Sequence, residues 1–337
     1  MEGMKLRRFF KVSNALLLVM LIFTMLLSTA CKKEDNNVRE KASKEVSVNK
    51  KHKETFAKEE KNGESNVEKK YGSVKGFLWE VKKGNATVYM YGSIHVGGKD
   101  IYPLEKTVED AFDGADVLVG EIDINNISTE DATNYAFDSI YTNGDTALDH
   151  LSQEGKNKLN EVSKELDFNY KFIIKYKPWY VGSILSSYQM KKAGYEANYG
   201  IDKYFFNKAK GKKEIEELES AKFQIDLLNS FSDEEQEKNF IMSIGTIEET
   251  KASLDQIFDI YKKGDEEAMI EALGEEDRSS NYYKKMILDR NKNMTLKIEE
   301  YLNTEKTYFV VAGLAHFIGQ DGIVQMLKDK GYTVMRK

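Results

Sequence analysis

Ala86-Thr87-Val88-Tyr89-Met90-Tyr91-Gly92-Ser93-Ile94-His95 is one of two stretches in this chain built to a single pattern; the other is Thr307-Tyr308-Phe309-Val310-Val311-Ala312-Gly313-Leu314-Ala315-His316. In each, an apolar, β-branched run reads as a buried strand, and the glycine marks where the backbone turns out of it. Carboxyl ends of strands are where α/β domains build their chemistry, so both histidines are expected at one rim of a sheet. About 220 residues of sequence separate them. The chain holds four histidines, and two of them share this local grammar.

Working outward, Gly76–Lys82 and Ala86–Ser93 flank Lys83-Gly84-Asn85, a hairpin signal, since Gly-Asn supplies the positive φ of a tight turn. A helical pattern runs from Pro103 to Phe112 and ends at Gly114. Val117–Asp123 reads as the next buried strand, with Glu121 and Asp123 at its exit, so strand, helix and strand predict a crossover unit. Thr129 to about Lys210 is helical by period, with Lys177-Pro178-Trp179 opening one helix. Lys213–Glu219 reads as a further strand, and a long helical region from Ala221 to about Leu302 precedes the second histidine stretch. Gly322–Lys330 is a closing helix and Gly331–Met335 a closing strand. The expectation is an α/β fold: a mixed central sheet from two related halves, each strand, Gly-x-x-His, helix, strand, with a helical insertion over about 129–302.

Lys5, Arg7, Arg8 and Lys11 make a basic head, Ala15–Leu27 an apolar stretch, and Ser28-Thr29-Ala30 a run of small residues before Cys31. This is the layout of a secretory signal, too short for a comfortable membrane span. Ending at Cys31, it resembles a bacterial lipobox, which implies cleavage before that cysteine and a lipid anchor on its sulfur, although Ser28 stands where the motif usually has Leu. An uncleaved signal anchor is the alternative. Either way residues 1–31 predict an extracytoplasmic, membrane-anchored protein. Cys31 is the only cysteine, so no intramolecular disulfide can form. Residues 32–70 are dominated by Lys, Glu, Asn, Ser and Val and read as a disordered tether in which His52 is simply solvated. Residues 71–337 are long enough for one large domain. The net charge of −6 argues against a nucleic-acid surface.

Three readings of His95 and His316 stand side by side: packed structural histidines, a metal-free acid/base pair, and ligands of a divalent ion. Imidazole and carboxylate are the usual donors for such an ion, and two His with one carboxylate leave positions open for water. A bound ion brings that water's pKa toward neutrality, and a nearby Glu can take its proton. Glu121 and Glu219 are the carboxylates at neighbouring strand exits; Asp123 is the weaker candidate. Arg290 reads either as a guanidinium for an anionic substrate or transition state or as a helix-surface ion pair. Ser93 sits near His95 but outside any Gly-x-Ser-x-Gly elbow, and no His-Glu-x-x-His is present. His150 lacks the strand-end setting, and Trp179 reads as helix packing.

Ordered along the chain, Leu78-Trp79-Glu80-Val81, Tyr91-Gly92-Ser93-Ile94-His95-Val96, Glu121-Ile122-Asp123 and Lys177-Pro178-Trp179 are followed by Gly200-Ile201-Asp202, Leu218-Glu219-Ser220 with Gln224, Arg290-Asn291 with Met294, and Gly313-Leu314-Ala315-His316-Phe317 with Gly319 and Gly322. This series resembles the TraB/GumN group, which includes the Tiki metalloproteases, over roughly Gly76 to the carboxyl end. The resemblance implies a split α/β fold related to the ChaN and erythromycin-esterase groups. It also implies divalent-metal-dependent hydrolysis, with manganese or cobalt favoured and zinc a third candidate. Carried over by position, His95, His316 and Glu121 become metal ligands, Glu121 and Glu219 catalytic carboxylates, and Arg290 a residue lining the site. Ser93 stands where the group usually has Thr, and Leu314-Ala315 where Ala-Gly is common; neither change removes a ligand. The function expected is a surface-anchored hydrolase acting on a peptide or small molecule. A non-catalytic lipoprotein of the same fold that sequesters a ligand or peptide is the competing reading, and a structural docking lipoprotein the third.

Overall fold

A computed structural model describes residues 71–123, 126–274 and 277–337. The expected signal, lipidated Cys31, tether and His52 all lie outside the described residues. Among the described residues no helix is long and apolar enough to cross a membrane.

Six strands form one sheet: β1 (Phe77–Lys83), β2 (Ala86–Ser93), β3 (Val117–Gly120), β4 (Glu214–Glu217), β5 (Thr307–Gly313) and β6 (Val334–Arg336), in the spatial order β4-β3-β5-β2-β1-β6. β1 is antiparallel to both its neighbours, and the remaining pairs are parallel, so all strands but β1 point the same way. The fold is therefore mixed α/β, as the alternation of apolar runs and helical periods predicts. β1 and β2 form the expected hairpin: Lys83 pairs with Ala86, and Gly84 takes the positive φ of 58°.

β5 is buried along nearly its whole length because it lies between β3 and β2, and a strand covered on both faces has no polar side to alternate. β4 (Glu-Ile-Glu-Glu) is the opposite case, a charged edge strand. Two boundaries differ from the sequence pattern. β3 stops at Gly120 rather than Asp123, which frees Glu121 from the strand. The first helix starts at Lys106 rather than Pro103, because Leu104 bridges to Val74 and the Glu105 N–H donates to the Val74 carbonyl. The two chain ends also deliver their last strands differently: β3 lies one strand away from β2, whereas β6 lies across β2 and β1 from β5.

Among the described residues the α-helices of seven or more residues are α1 (Lys106–Asp113), α2 (Thr129–Asp138), α3 (Gln153–Leu166), α4 (Pro178–Lys192), α5 (Ile201–Ala209), α6 (Ala221–Asn229), α7 (Asp233–Ser243), α8 (Ile247–Lys263), α9 (Glu266–Leu273), α10 (Asp289–Tyr301) and α11 (Ile323–Asp329). Their starts are written in the sequence. Ser128, Ser232 and Thr246 each form a reciprocal capping box with an acid three residues on, and Pro178 occupies the first turn of α4, where its missing N–H costs nothing. The interval expected as a helical insertion thus contains one strand, β4, which joins the sheet edge.

Two large apolar clusters result. One is built on the sheet, with Tyr91, Phe112, Phe205 and Phe309 in mutual ring contact; the other is helical and includes Trp179, Leu185 and Phe240. Trp179 is accordingly a packing residue, its indole N–H donating to Asn229 Oδ1. Ala315, one residue before His316, packs against both clusters, so the second histidine stands at their junction. Phe309→Ala is expected to cost about 3–5 kcal/mol in denaturant unfolding, because its fully buried ring meets three other rings. A loss below about 1 kcal/mol would show that the sheet core does not depend on this ring.

Candidate functional site

Four adjacent parallel strands each hand one side chain to the same rim. In spatial order they are Glu219 after β4, Glu121 after β3, His316 after β5 and His95 after β2. Pairing continues past the strand ends, with Leu218 N–H donating to Gly120 O and Glu219 N–H to Glu121 O, which sets the two acids side by side. Ser93 pairs with Gly313, so the two histidine turns leave the sheet from neighbouring strands, one residue out of phase. The turns differ in form: Leu314–His316 is a 3₁₀ turn, whereas the loop after Ser93 is pinned by Ile201 N–H donating to Ile94 O.

Glu121 is the hub. Its Oε1 accepts the Gly313 N–H at 2.6 Å and stands 4.0 Å from both His95 Nε2 and His316 Nε2. Its Oε2 accepts from Arg290 Nη2 at 2.9 Å. Glu219 accepts from Arg290 Nε with both oxygens and from Nη2 with Oε2, and Gln224 Nε2 donates to Glu219 Oε2 at 3.0 Å. The remaining Arg290 nitrogen, Nη1, donates to the Met286 carbonyl within the π-helical stretch Lys284–Leu288 that leads into α10. His95, His316, Glu121, Glu219 and Arg290 are each no more than 8% exposed.

The other ring nitrogens are committed. His95 Nδ1 lies 2.7 Å from Asp202 Oδ2, and Asp202 Oδ1 accepts from Ser93 Oγ at 2.8 Å. His316 Nδ1 lies 2.6 Å from Asn291 Oδ1. Both partners are oxygens placed to accept a ring N–H from Nδ1, which turns each Nε2 edge toward Glu121. Ser93 bonds to Asp202 rather than to His95, so no Ser-His nucleophile pair is formed.

Burial opposes ionisation of Glu121, but His316, Arg290, His95 and the Gly313 N–H outweigh it and hold its pKa at about 2. Burial and then the Arg290 guanidinium push His316 down to about 3, so its ring is neutral across the physiological range. Burial also works against charge on His95, yet the Asp202 carboxylate and Glu121 raise its pKa above the ordinary value. Arg290, facing Glu219 and Glu121, is held charged despite burial.

The two motif glycines have separate jobs. Gly92 lies inside β2, where a Cβ would collide with Leu314 Cδ1, so it permits close approach of the two turns. A Cβ on Gly313 would sit 3.1 Å from Glu121 Oε1, 3.5 Å from His95 Nε2 and 3.7 Å from His316 Cδ2, in the space the three groups enclose. Two imidazole Nε2 atoms, His316 neutral and His95 a ligand once it gives up its proton, with one carboxylate around a small gap are a divalent-ion donor set. Among the described residues no three His, Cys, Asp or Glu side chains already stand at ligating separations. Donors at about 2.1 Å from a tetrahedral ion lie about 3.4 Å apart, so closing each 4.0 Å gap takes a shift of about half an ångström. Three acid groups (Glu121, Glu219, Asp202) face one guanidinium here, an excess that suits a dication.

The structure thus brings together His95, His316, Glu121, Glu219 and Arg290. Asp123 lies beyond, half-buried, with its N–H on Glu217 Oε2. His150 is elsewhere, between Asp145 and Asp233 and stacked on the Tyr141 ring. Asp202, Asn291 and Gln224 carry the site without having been given roles from sequence. Their signal was membership of the motif series together with position: Asp202 in the first turn of α5, Asn291 beside Arg290, and Gln224 one turn into α6 after Glu219.

The chain belongs to the TraB/PrgY/gumN family, whose family model matches residues 77–336. It is 29% identical over 151 residues to the uncharacterized protein YbaP of Escherichia coli, and equally to that of Shigella flexneri; the match covers 44% of this chain and 54% of each relative. The chain therefore spans about half the length of these curated relatives. An uncharacterized protein of Treponema pallidum is 20% identical over 273 residues, 75% of this chain and 80% of that protein. No solved structure matches the chain.

Gly313→Ala is expected to fold normally, since φ −51° and ψ 131° are open to any residue, and to weaken manganese binding by roughly tenfold or more. Calorimetric titration of the purified variant checks this. Unchanged affinity would place any bound ion outside the space among His95, His316 and Glu121.

Proposed function

As a member of this family, the chain is, we propose, a divalent-metal-dependent hydrolase of peptide bonds, anchored outside the cytoplasmic membrane through Cys31. The observation that carries the proposal is the convergence of His95 Nε2 and His316 Nε2 on one oxygen of an ionised Glu121, with both Nδ1 atoms already bonded. His95, His316 and Glu121 would hold the ion, with manganese or cobalt favoured over zinc. When bound, the ion supplies Lewis acidity and a water of lowered pKa.

The chain's own residues prepare that chemistry. Arg290 keeps Glu121 ionised and fixes its Oε2, so that Oε1 stays turned to the imidazoles. Glu219 and Gln224 hold Arg290 and Glu121 in turn. Every Arg290 nitrogen is already engaged, which favours a positioning role over direct capture of a substrate carboxylate. Glu219 Oε2 is filled by Arg290 and Gln224 while Oε1 accepts only from Arg290 Nε, so the residue acts first as the anchor of that guanidinium and keeps lone-pair capacity on Oε1. Burial of all five residues excludes bulk water and strengthens these interactions.

Cleavage of a peptide library by the full chain, lost on chelation and restored by manganese or cobalt, is the expected result. Peptide capture without cleavage under both conditions would instead establish a sequestering protein. Metal binding should weaken as pH falls, because a proton on His95 Nε2 competes with the ion, and the raised pKa of that ring starts the loss above the ordinary histidine range. His316, at about 3, does not contribute to that limb. Asp202→Asn removes the charge that raises His95, so the acid limb of a metal-binding titration should move to lower pH. A limb that stays in place would remove His95 from the ligand set.

A further inference from the structure

We infer that Asn291 is the positioning residue that fixes His316, holding its proton on Nδ1 and its free Nε2 lone pair toward Glu121. An amide can present either end, so the question is what stops Asn291 from turning round. Its Nδ2 donates to the Asp321 carbonyl at 2.8 Å, and a carbonyl can only accept. The amide oxygen is thereby forced toward His316 Nδ1, 2.6 Å away, and that nitrogen must be the one bearing hydrogen. Reversal would move the ring proton to Nε2 and set amide oxygen against the Asp321 carbonyl oxygen. Asn291 is fully buried, so no water can relieve that clash.

The carbonyl that orients the amide is itself held. Asp321 accepts from Tyr283 Oη and from Arg278 Nε with Oδ2, at 2.9 and 2.7 Å, which ties the loop after His316 to the segment before the π-helical stretch. Adjacent residues of α10 therefore serve adjacent groups of the site: Arg290 aims Glu121, and Asn291 aims His316. His95 is held by a different device, the carboxylate of Asp202, which has no donor to misplace and needs no orienting carbonyl. The tautomer lock at His316 is thus a property of an amide between two acceptors, and aspartate at 291 would keep only half of it.

The assignment bears on the proposed metal reading but is tested apart from it. In the metal-free full chain, labelled with 15N-histidine, the imidazole spectrum is expected to show His316 protonated at Nδ1 alone. Asn291→Leu should mix or reverse the tautomers and weaken manganese binding about 10–100-fold. Asn291→Asp, which retains the acceptor, should keep the Nδ1–H form. A wild-type ring protonated at Nε2, or an Asn291→Leu protein whose His316 tautomer is unchanged, overturns the assignment. The expected tautomers in a wild-type protein that binds neither manganese, cobalt nor zinc would uphold Asn291 and defeat the metal reading instead.

Discussion

Parallel pairing of β2 with β5 is the constraint on which the rest of this structure depends. Residues 87–93 lie beside residues 307–313, so the chain must travel out and return to one seam before the sheet has a centre. Closing so long a loop costs conformational entropy that local contacts cannot offset. Burial of most of both strands and of the rings around Phe309 supplies the compensation. Once the seam forms, β3 docks on the far side of β5 and brings β4 with it. Four parallel carboxyl ends then share a rim, and the site follows from that order.

At the rim, electrostatics is arranged around a deliberate excess of acid. A buried guanidinium between two carboxylates is a weak source of stability but a strong one of orientation, since removing any partner strands a charge in a low-dielectric setting. Glu121 is the beneficiary. One oxygen is occupied by Arg290, the other takes a single backbone N–H and otherwise faces two imidazoles. Their other nitrogens are satisfied by an aspartate on one side and an asparagine on the other, so the two halves of the centre are alike in imidazole and unlike in support.

Strand and helix identities were largely legible because each rests on local chemistry: the apolar runs of β2 and β5, the Gly-Asn turn, the helical periods, Pro178. His95, His316, Glu121, Glu219 and Arg290 were legible as candidates because strand exits and a matching series of motifs marked them. What the residues could not reveal was neighbourhood. That β5 lies between β2 and β3 is decided by long-range pairing, and it alone makes Glu121 common to both histidines. Asp202, Asn291 and Gln224 stand in the motif series without a role of their own, because a polar residue in a helix usually meets solvent and only packing shows that these face inward. The early end of β3 at Gly120 was hidden for a related reason: its apolar run continues through Ile122, which packs against Ala221 rather than joining the ladder.

The π-helical stretch Lys284–Leu288 makes the site sensitive to length as well as to composition. A π turn holds one residue more than an α turn, and each residue of an α-helix advances the face by about 100°. Deleting a single residue between Tyr283 and Asp289 would let the helix run regularly and would swing α10 in phase relative to the preceding turn. Arg290 and Asn291 would then have to leave Glu121 and His316, or the whole helix rotate against the sheet. Outside the buried Met286 and Ile287, side chains in that stretch can therefore change while its residue count cannot, which makes this segment a ruler whose single extra mark sets where two neighbouring residues point.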